Sequence, residues 1–147
     1  MMMDDYIKER LNDQIQWYSK RSKYYKRFYY GFNIALLVIS STSSIISYLI
    51  LKYKQLEFLP ILGTVLTATI PIIVGVDKLM KCQELYTTYR STCERLKQEK
   101  ILFQNGAGEY ENLSIEKRNS LLVNRCESIM SHENSNWTQL NEKKQNN

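Results

Sequence analysis

The sequence has one histidine, His132, among its 147 residues, and its three cysteines, Cys82, Cys93 and Cys126, stand far apart. A zinc site needs closely spaced Cys and His ligands, and a Cys-His nucleophile pair needs a base within reach of the thiol. Neither pattern is present, so the cysteines read as small, reduced core residues. A glycine-rich loop to cradle a phosphate is also missing: Gly106 and Gly108 follow a helical stretch, where glycine acts as a stop signal. Nothing signals a strand or an internal repeat. No enzymatic activity, metal or cofactor is expected. The opening MMMDDYIKERLND has acids where a signal peptide carries its basic region and no apolar core behind them, so no cleavable signal is expected. The triplets Asn112-Leu-Ser and Asn136-Trp-Thr read as chance matches to the glycosylation sequon on a cytoplasmic segment.

The absence with the largest consequence is that of charge from two long runs. GFNIALLVISSTSSIISYLIL (31–51) and FLPILGTVLTATIPIIVGV (58–76) contain no Asp, Glu, Lys or Arg. As helices they are about 31 and about 28 Å long, each roughly one hydrocarbon core. With Leu, Ile, Val and Phe at about −0.3 to −0.6 kcal/mol each, either run gains on the order of −3 to −7 kcal/mol on insertion before its polar residues are charged against it. A helix of a soluble bundle shows a polar face, and these runs offer only Ser, Thr, Gly and one Asn. The sequence therefore predicts a transmembrane hairpin.

The net charge of +5 and the pI near 9.0 suit nucleic acid or an anionic membrane surface. Position favours lipid, and no nucleic-acid partner is expected: Lys20, Arg21, Lys23, Lys26 and Arg27 stand immediately before the first run. Tyr24, Tyr25, Tyr29 and Tyr30 mark the inner headgroup layer, and Tyr48, Tyr53 and Phe58 the outer one. The turn 52–57 carries Lys52 and Lys54, fewer cations than the cluster together with Lys78 and Lys81. That excess predicts a multi-pass protein of the inner (plasma) membrane with both termini cytoplasmic.

The expected organisation is all-α. A cytoplasmic amphipathic helix over 4–30 starts at Asp4 and Asp5, whose carboxylates suit unpaired amide hydrogens. It carries Ile7, Leu11, Gln14, Tyr18, Arg21, Tyr25 and Phe28 at helical spacing and runs straight into the first span, 31–51. The turn 52–57 and the second span 58–76 follow. A helix over 77–104, with Leu79, Cys82, Tyr86, Tyr89, Cys93, Leu96 and Phe103 on one side, returns antiparallel to the first. After a turn at 105–113, a helix over 114–141 presents Ile115, Leu122, Cys126, Ile129, Trp137 and Leu140, and 142–147 form a disordered tail. The sum is a cytoplasmic three-helix coil standing on a two-span hairpin, in a homo-oligomer.

Four groups of residues are candidates for function. Asn33, Ser40, Ser44 and Ser47 share one side of the first span and form a hydroxyl stripe, either the lining of a pore or a close helix contact with hydroxyls bonded to their own carbonyls. Gly63, Thr67, Pro71 and Gly75 make a small-residue seam on the second span, with Pro71 a kink that is either a hinge or a static bend. Asp77 at the inner end is an ion-coordinating carboxylate or an interfacial, salt-bridged one. Arg90, Glu94, Arg95, Lys97, Glu99 and Lys100 read first as solvated ion pairs and second as a ligand-sensing cluster.

Asp13-Gln14 with Trp17-Tyr18, the stretch Tyr89-Arg90-Ser91-Thr92-Cys93-Glu94-Arg95-Leu96-Lys97-Gln98-Glu99-Lys100, and Glu133-Asn134 with Trp137 together resemble the bacterial SLATT family. These are small two-transmembrane proteins associated with SMODS nucleotidyltransferases and SLOG domains, and one branch is catalogued as a domain of unknown function. The resemblance covers nearly the whole chain, and the tyrosine-arginine to glutamate-lysine stretch is its most specific part. Where the family often has Gly-Pro-Tyr, this chain has Gly108-Glu109-Tyr110. The resemblance implies a membrane effector of a conflict or nucleotide-signalling system, assembling into pores in the lipid bilayer and answering to a nucleotide or protein trigger. The alternatives are a membrane-anchored helical scaffold and a ligand sensor without a conducting path.

Overall fold

The computed structural model describes residues 2–53 and 57–145, with side chains for 3–53 and 57–132. Its helices are α1 (Met2–Asp5), α2 (Asn12–Lys52), α3 (Phe58–Met80), α4 (Cys82–Asn105) and α5 (Ile115–Gln145). A π-helical segment, Tyr6–Leu11, joins α1 to α2, and a 3₁₀ turn, Gly108–Tyr110, precedes α5. The described residues contain no strand. Lys54 of the expected outer turn, and the side chains of Glu133, Asn134, Trp137 and Leu140, lie outside the described residues.

The chain forms two compact units, Met1–Ser22 with Tyr86–Asn147, and Lys23–Leu85. The first is a three-helix coil. Lys100 of α4 donates to Oδ1 of Asn12 at 2.7 Å and Cys93 to the carbonyl of Ile15 at 3.5 Å, while Tyr89 meets Trp17 and Tyr18 with ring centroids 5.6 and 6.0 Å apart. Partners thus descend on α4 as they climb on the amino-terminal helix, and the two run antiparallel. Glu127 of α5 meets Tyr6 and Arg10, and Arg118 and Arg125 of α5 meet Phe103 and Glu99, so α5 runs antiparallel to α4 as well. Leu11, Leu96, Leu122 and Cys126 are fully enclosed between the three helices.

The inward positions correct the expected faces at three places. Ser22, rather than Arg21, is buried; Arg21 lies over the Trp17 ring at 5.4 Å, where its charge stays in water. Leu79 and Ile115 are exposed, because each stands at a helix end beyond the packed length. Met130 joins Leu122 and Cys126 inside α5, a spacing of four that Ile129 does not share.

Helix ends follow from backbone chemistry. α4 closes on a Schellman motif: Gly106, at φ 60°, donates to the Phe103 carbonyl at 3.2 Å, and Ala107 to the Leu102 carbonyl at 3.0 Å. The stop expected at Gly106 is therefore present. The helix expected over 77–104 is not continuous. Lys81 adopts a left-handed conformation, φ 48° and ψ 40°, and splits it into α3 and α4, while α3 passes through Pro71 without ending. At the other end α5 continues to Gln145, past the expected start of the tail at 142.

The second unit is a helical hairpin. Ile46 of α2 and Leu59 of α3 are buried in it, as is Cys82 at the start of α4. Gly63 lets the two backbones approach: a Cβ there would stand 3.3 Å from Ile46 Cγ2 and 3.5 Å from Ile50 Cδ1. Tyr24, Tyr25 and Phe28 stack on one another near the start of this unit, with Tyr24 4.7 Å from Phe28 and 5.4 Å from Tyr25. Lys26 lies over Tyr30 at 5.8 Å, and Lys52 over Tyr53 at 5.4 Å at the other end of the span.

Candidate functional site

Within the hairpin, only 6% of the most apolar 18-residue stretch of each long helix is buried. Ile34, Leu37, Ile45, Ile61, Val65 and Ile72 lie open around both helices. Both helices are long and apolar enough to cross a membrane. Along them Ser41, Thr42, Ser44, Ser47, Thr64 and Thr67 each donate to the carbonyl four residues back at 2.8–3.1 Å. Asn33 likewise donates to the Tyr29 carbonyl at 2.7 Å. A donor bonded to its own helix needs no water, and this lowers the cost of placing it in hydrocarbon.

The expected stripe of Asn33, Ser40, Ser44 and Ser47 is exposed along α2. Ser47 stands at the edge of a groove shared with Pro60, Gly63, Thr64 and Thr67 of α3, whereas Ser40 and Ser44 are exposed outside that groove. The hydroxyl of Ser43, beside the stripe, is buried without a hydrogen-bond partner among the described residues. The small-residue seam divides. Gly63 and Thr67 serve the contact within the hairpin, while Gly75 has open space where a side chain would go and Pro71 is exposed. Asp77 is half-buried one turn before the Lys81 break, and its Oδ1 is enclosed without a hydrogen-bond partner among the described residues.

In the coil, the basic residues of α4 do not converge. Lys97 pairs with Glu94 at 3.2 Å one turn back, Lys100 with Asn12, and Arg90 is exposed. Arg95 points into a different groove, about 380 Å³, between α4 and α5, with Thr87, Thr88, Ser91, Thr92, Ile129 and His132. A helix turns about 100° per residue, so Arg90 and Lys97 share a side that Arg95 lacks.

Glu99 is the largest departure from the expected solvated pairs. It is 6% exposed, accepts from the Tyr110 hydroxyl at 2.8 Å and from Arg125 Nη2 at 2.8 Å, and Arg125 Nη1 reaches on to Glu109. Burial and the hydrogen bond to Glu99 push the Tyr110 hydroxyl above its ordinary pKa. Burial, reinforced by the charges of Glu99 and Glu127, pushes the Cys126 thiol up to about 12. A second pair seals the far side of α5: Arg10 donates from Nε and Nη2 to the two oxygens of Glu127 at 2.6 and 2.9 Å, and holds that carboxyl below the usual range. Composition alone could not single out Glu99 from Glu94, but its place three residues after buried Leu96 and six after buried Cys93 puts it on the inward side.

Among the described residues, no three of His, Cys, Asp or Glu group in a way that could hold a metal ion. No curated protein and no solved structure matches the chain. A family model described as "Protein of unknown function (DUF4231)" matches residues 13–118, from the amino-terminal helix of the coil through the hairpin to the start of α5, and the chain belongs to that family.

Proposed function

We propose that the chain is an inner-membrane protein whose two-span hairpins assemble into a homo-oligomeric pore, with both termini and the helical coil in the cytoplasm. The observation that carries the reading is the bare hairpin. A helix of a soluble core is mostly buried, and here 6% of each apolar stretch is. In water that surface would drive aggregation; in lipid it is the solvated face. The cations and tyrosines before the first span, including Lys26 over Tyr30, supply an anchor in the headgroup layer and set the orientation.

Conduction follows from what the hairpin leaves over. Ser40 and Ser44 are exposed and stand outside the groove with α3, so a neighbouring copy can meet them or water can. A ring of copies that turns this stripe inward has a hydroxyl-lined path, and Gly75 and Pro71 remain as a small-residue surface for the contact between copies. Asp77 lies at the cytoplasmic mouth of such a ring. The likeness to SLATT proteins supports an effector role in a conflict or nucleotide-signalling system.

The test is alkaline carbonate extraction of membranes carrying the full-length protein, with the mass of the detergent-purified particle taken from light scattering. Retention in the membrane and a particle of more than two chains support the reading. Release into the soluble fraction overturns insertion, and a dimer overturns the pore, because two hairpins enclose no aqueous path.

A further inference from the structure

The groove between α4 and α5 is built differently from the hydroxyl-bearing surfaces of the hairpin. In the spans Ser41, Thr42, Ser44, Ser47 and Thr67 are turned back onto their own carbonyls. In the groove Thr88, Ser91 and Thr92 make no hydrogen bond to any described residue; Ser91 is exposed, Thr88 half-buried and Thr92 7% exposed. They stand on two successive turns of α4 with Arg95 on the next, since Thr88, Thr92 and Arg95 are spaced four and three apart. His132 of α5 faces them, Ile129 forms an apolar wall, and among the described residues no carboxylate lines the space.

A water-soluble helix has no intrinsic use for this composition. Thr and Ser cost about 0.5 kcal/mol each relative to Ala in a helix interior, and the groove gathers them where core residues or charged pairs would serve the fold better. What unites them is chemistry: three hydroxyls, a guanidinium fixed in charge and an imidazole, with no carboxylate among the described lining residues. That set matches a tetrahedral oxyanion. The space of about 380 Å³ is larger than one phosphate needs and suits a phosphate attached to a ring or sugar that rests on Ile129.

We infer that the α4–α5 groove is a binding site for a phosphate monoester, held by Arg95 with His132 and the Thr88, Ser91 and Thr92 hydroxyls. The site lies wholly within the coil unit, so it stands whether or not the hairpin conducts. Its ligand bridges α4 and α5, and binding therefore stabilises the coil by mass action.

The experiment uses full-length protein in nanodiscs and measures the binding of AMP and of inorganic phosphate by calorimetry. Nanodiscs with and without phosphatidate form a second arm, read as thermal stability of the coil. The variants are Arg95→Gln, Ser91→Ala and, as a charge control on the same helix, Arg90→Gln. AMP should bind, with affinity lowered about tenfold or more by Arg95→Gln, as expected for loss of a charge-assisted contact, and unchanged by Arg90→Gln. Stabilisation by phosphatidate alone, lost in Arg95→Gln, would support the same site filled by a lipid headgroup. Absence of binding and stabilisation in every arm, or equal losses for Arg90→Gln and Arg95→Gln, would overturn it. Helix content by circular dichroism confirms that each variant is folded, as these exposed positions permit.

Discussion

The guanidinium of Arg125 on α5 donates from Nη2 to Oε1 of Glu99 on α4 at 2.8 Å, while the other oxygen of the same carboxylate accepts from Tyr110. Glu99 is buried and Arg125 is partly open, so the two ends of the pair are not equivalent. Replacing Arg125 by Gln leaves a charged carboxylate enclosed with one neutral donor. The expected loss is about 2–3 kcal/mol in chemical unfolding, and Tyr110→Phe should lose about 1 kcal/mol. Adding Glu99→Gln to Arg125→Gln should restore part of the loss, since the stranded charge is gone. A loss below about 0.5 kcal/mol for Arg125→Gln would mean the network carries no stability.

The Arg10–Glu127 pair predicts a direction with pH. The bond from Arg10 holds the folded pKa of Glu127 below its unfolded value. A carboxylate depressed in this way stabilises the fold above its unfolded pKa and loses that contribution as pH falls through the folded one. Thermal unfolding followed from pH 6 down into the acid range should show wild type losing more stability than Arg10→Gln. Parallel curves for the two proteins would contradict the assignment.

The three thiols should be inert in the folded protein. Burial raises the pKa of Cys82 and Cys93 as well as that of Cys126, and the thiolate is the reactive form. Iodoacetamide near pH 8 should leave all three unmodified by mass spectrometry until denaturant is added. Rapid modification of Cys126 in the native state would mean that the α4–α5 seam opens.

Much of this was legible in the chain, and the legible parts share a cause. Loss of charge over 31–51 and 58–76 marks the two apolar helices because hydrocarbon length and charge exclusion are written residue by residue. Trp17, Tyr18 and Tyr89, read as family-like positions, meet in one aromatic cluster of the coil. Gly106 shows itself because a left-handed residue at a helix end favours glycine. What stayed hidden depends on tertiary partners. Lys81 takes the same left-handed geometry with a side chain that gives no warning, and Pro71, which does, lies in an unbroken helix. Glu99 looks like its charged neighbours until Tyr110 and Arg125 arrive from other segments. Helical spacing separates Arg95 from Arg90 and Lys97, but the groove it enters exists only when α5 is placed opposite it.

The two glycines of α3 should respond differently. Gly63→Leu drives a side chain into Ile46 and Ile50 and should cost about 1–3 kcal/mol or force the hairpin open, whereas Gly75→Ala meets nothing within 4 Å and should leave stability unchanged. Detergent-solution thermal unfolding checks both. Equal behaviour of the two variants would mean that the hairpin contact is not at Gly63.

The most direct test of the pore is ion flux through purified full-length protein in liposomes, compared with the Ser44→Leu, Ser47→Leu double variant at matched incorporation and particle mass. Flux in the wild type that is abolished by the two leucines is the predicted result, because the stripe would then be the conducting wall. Equal flux from both proteins would contradict that lining, and absence of flux from a wild-type ring of more than two chains would contradict the pore itself.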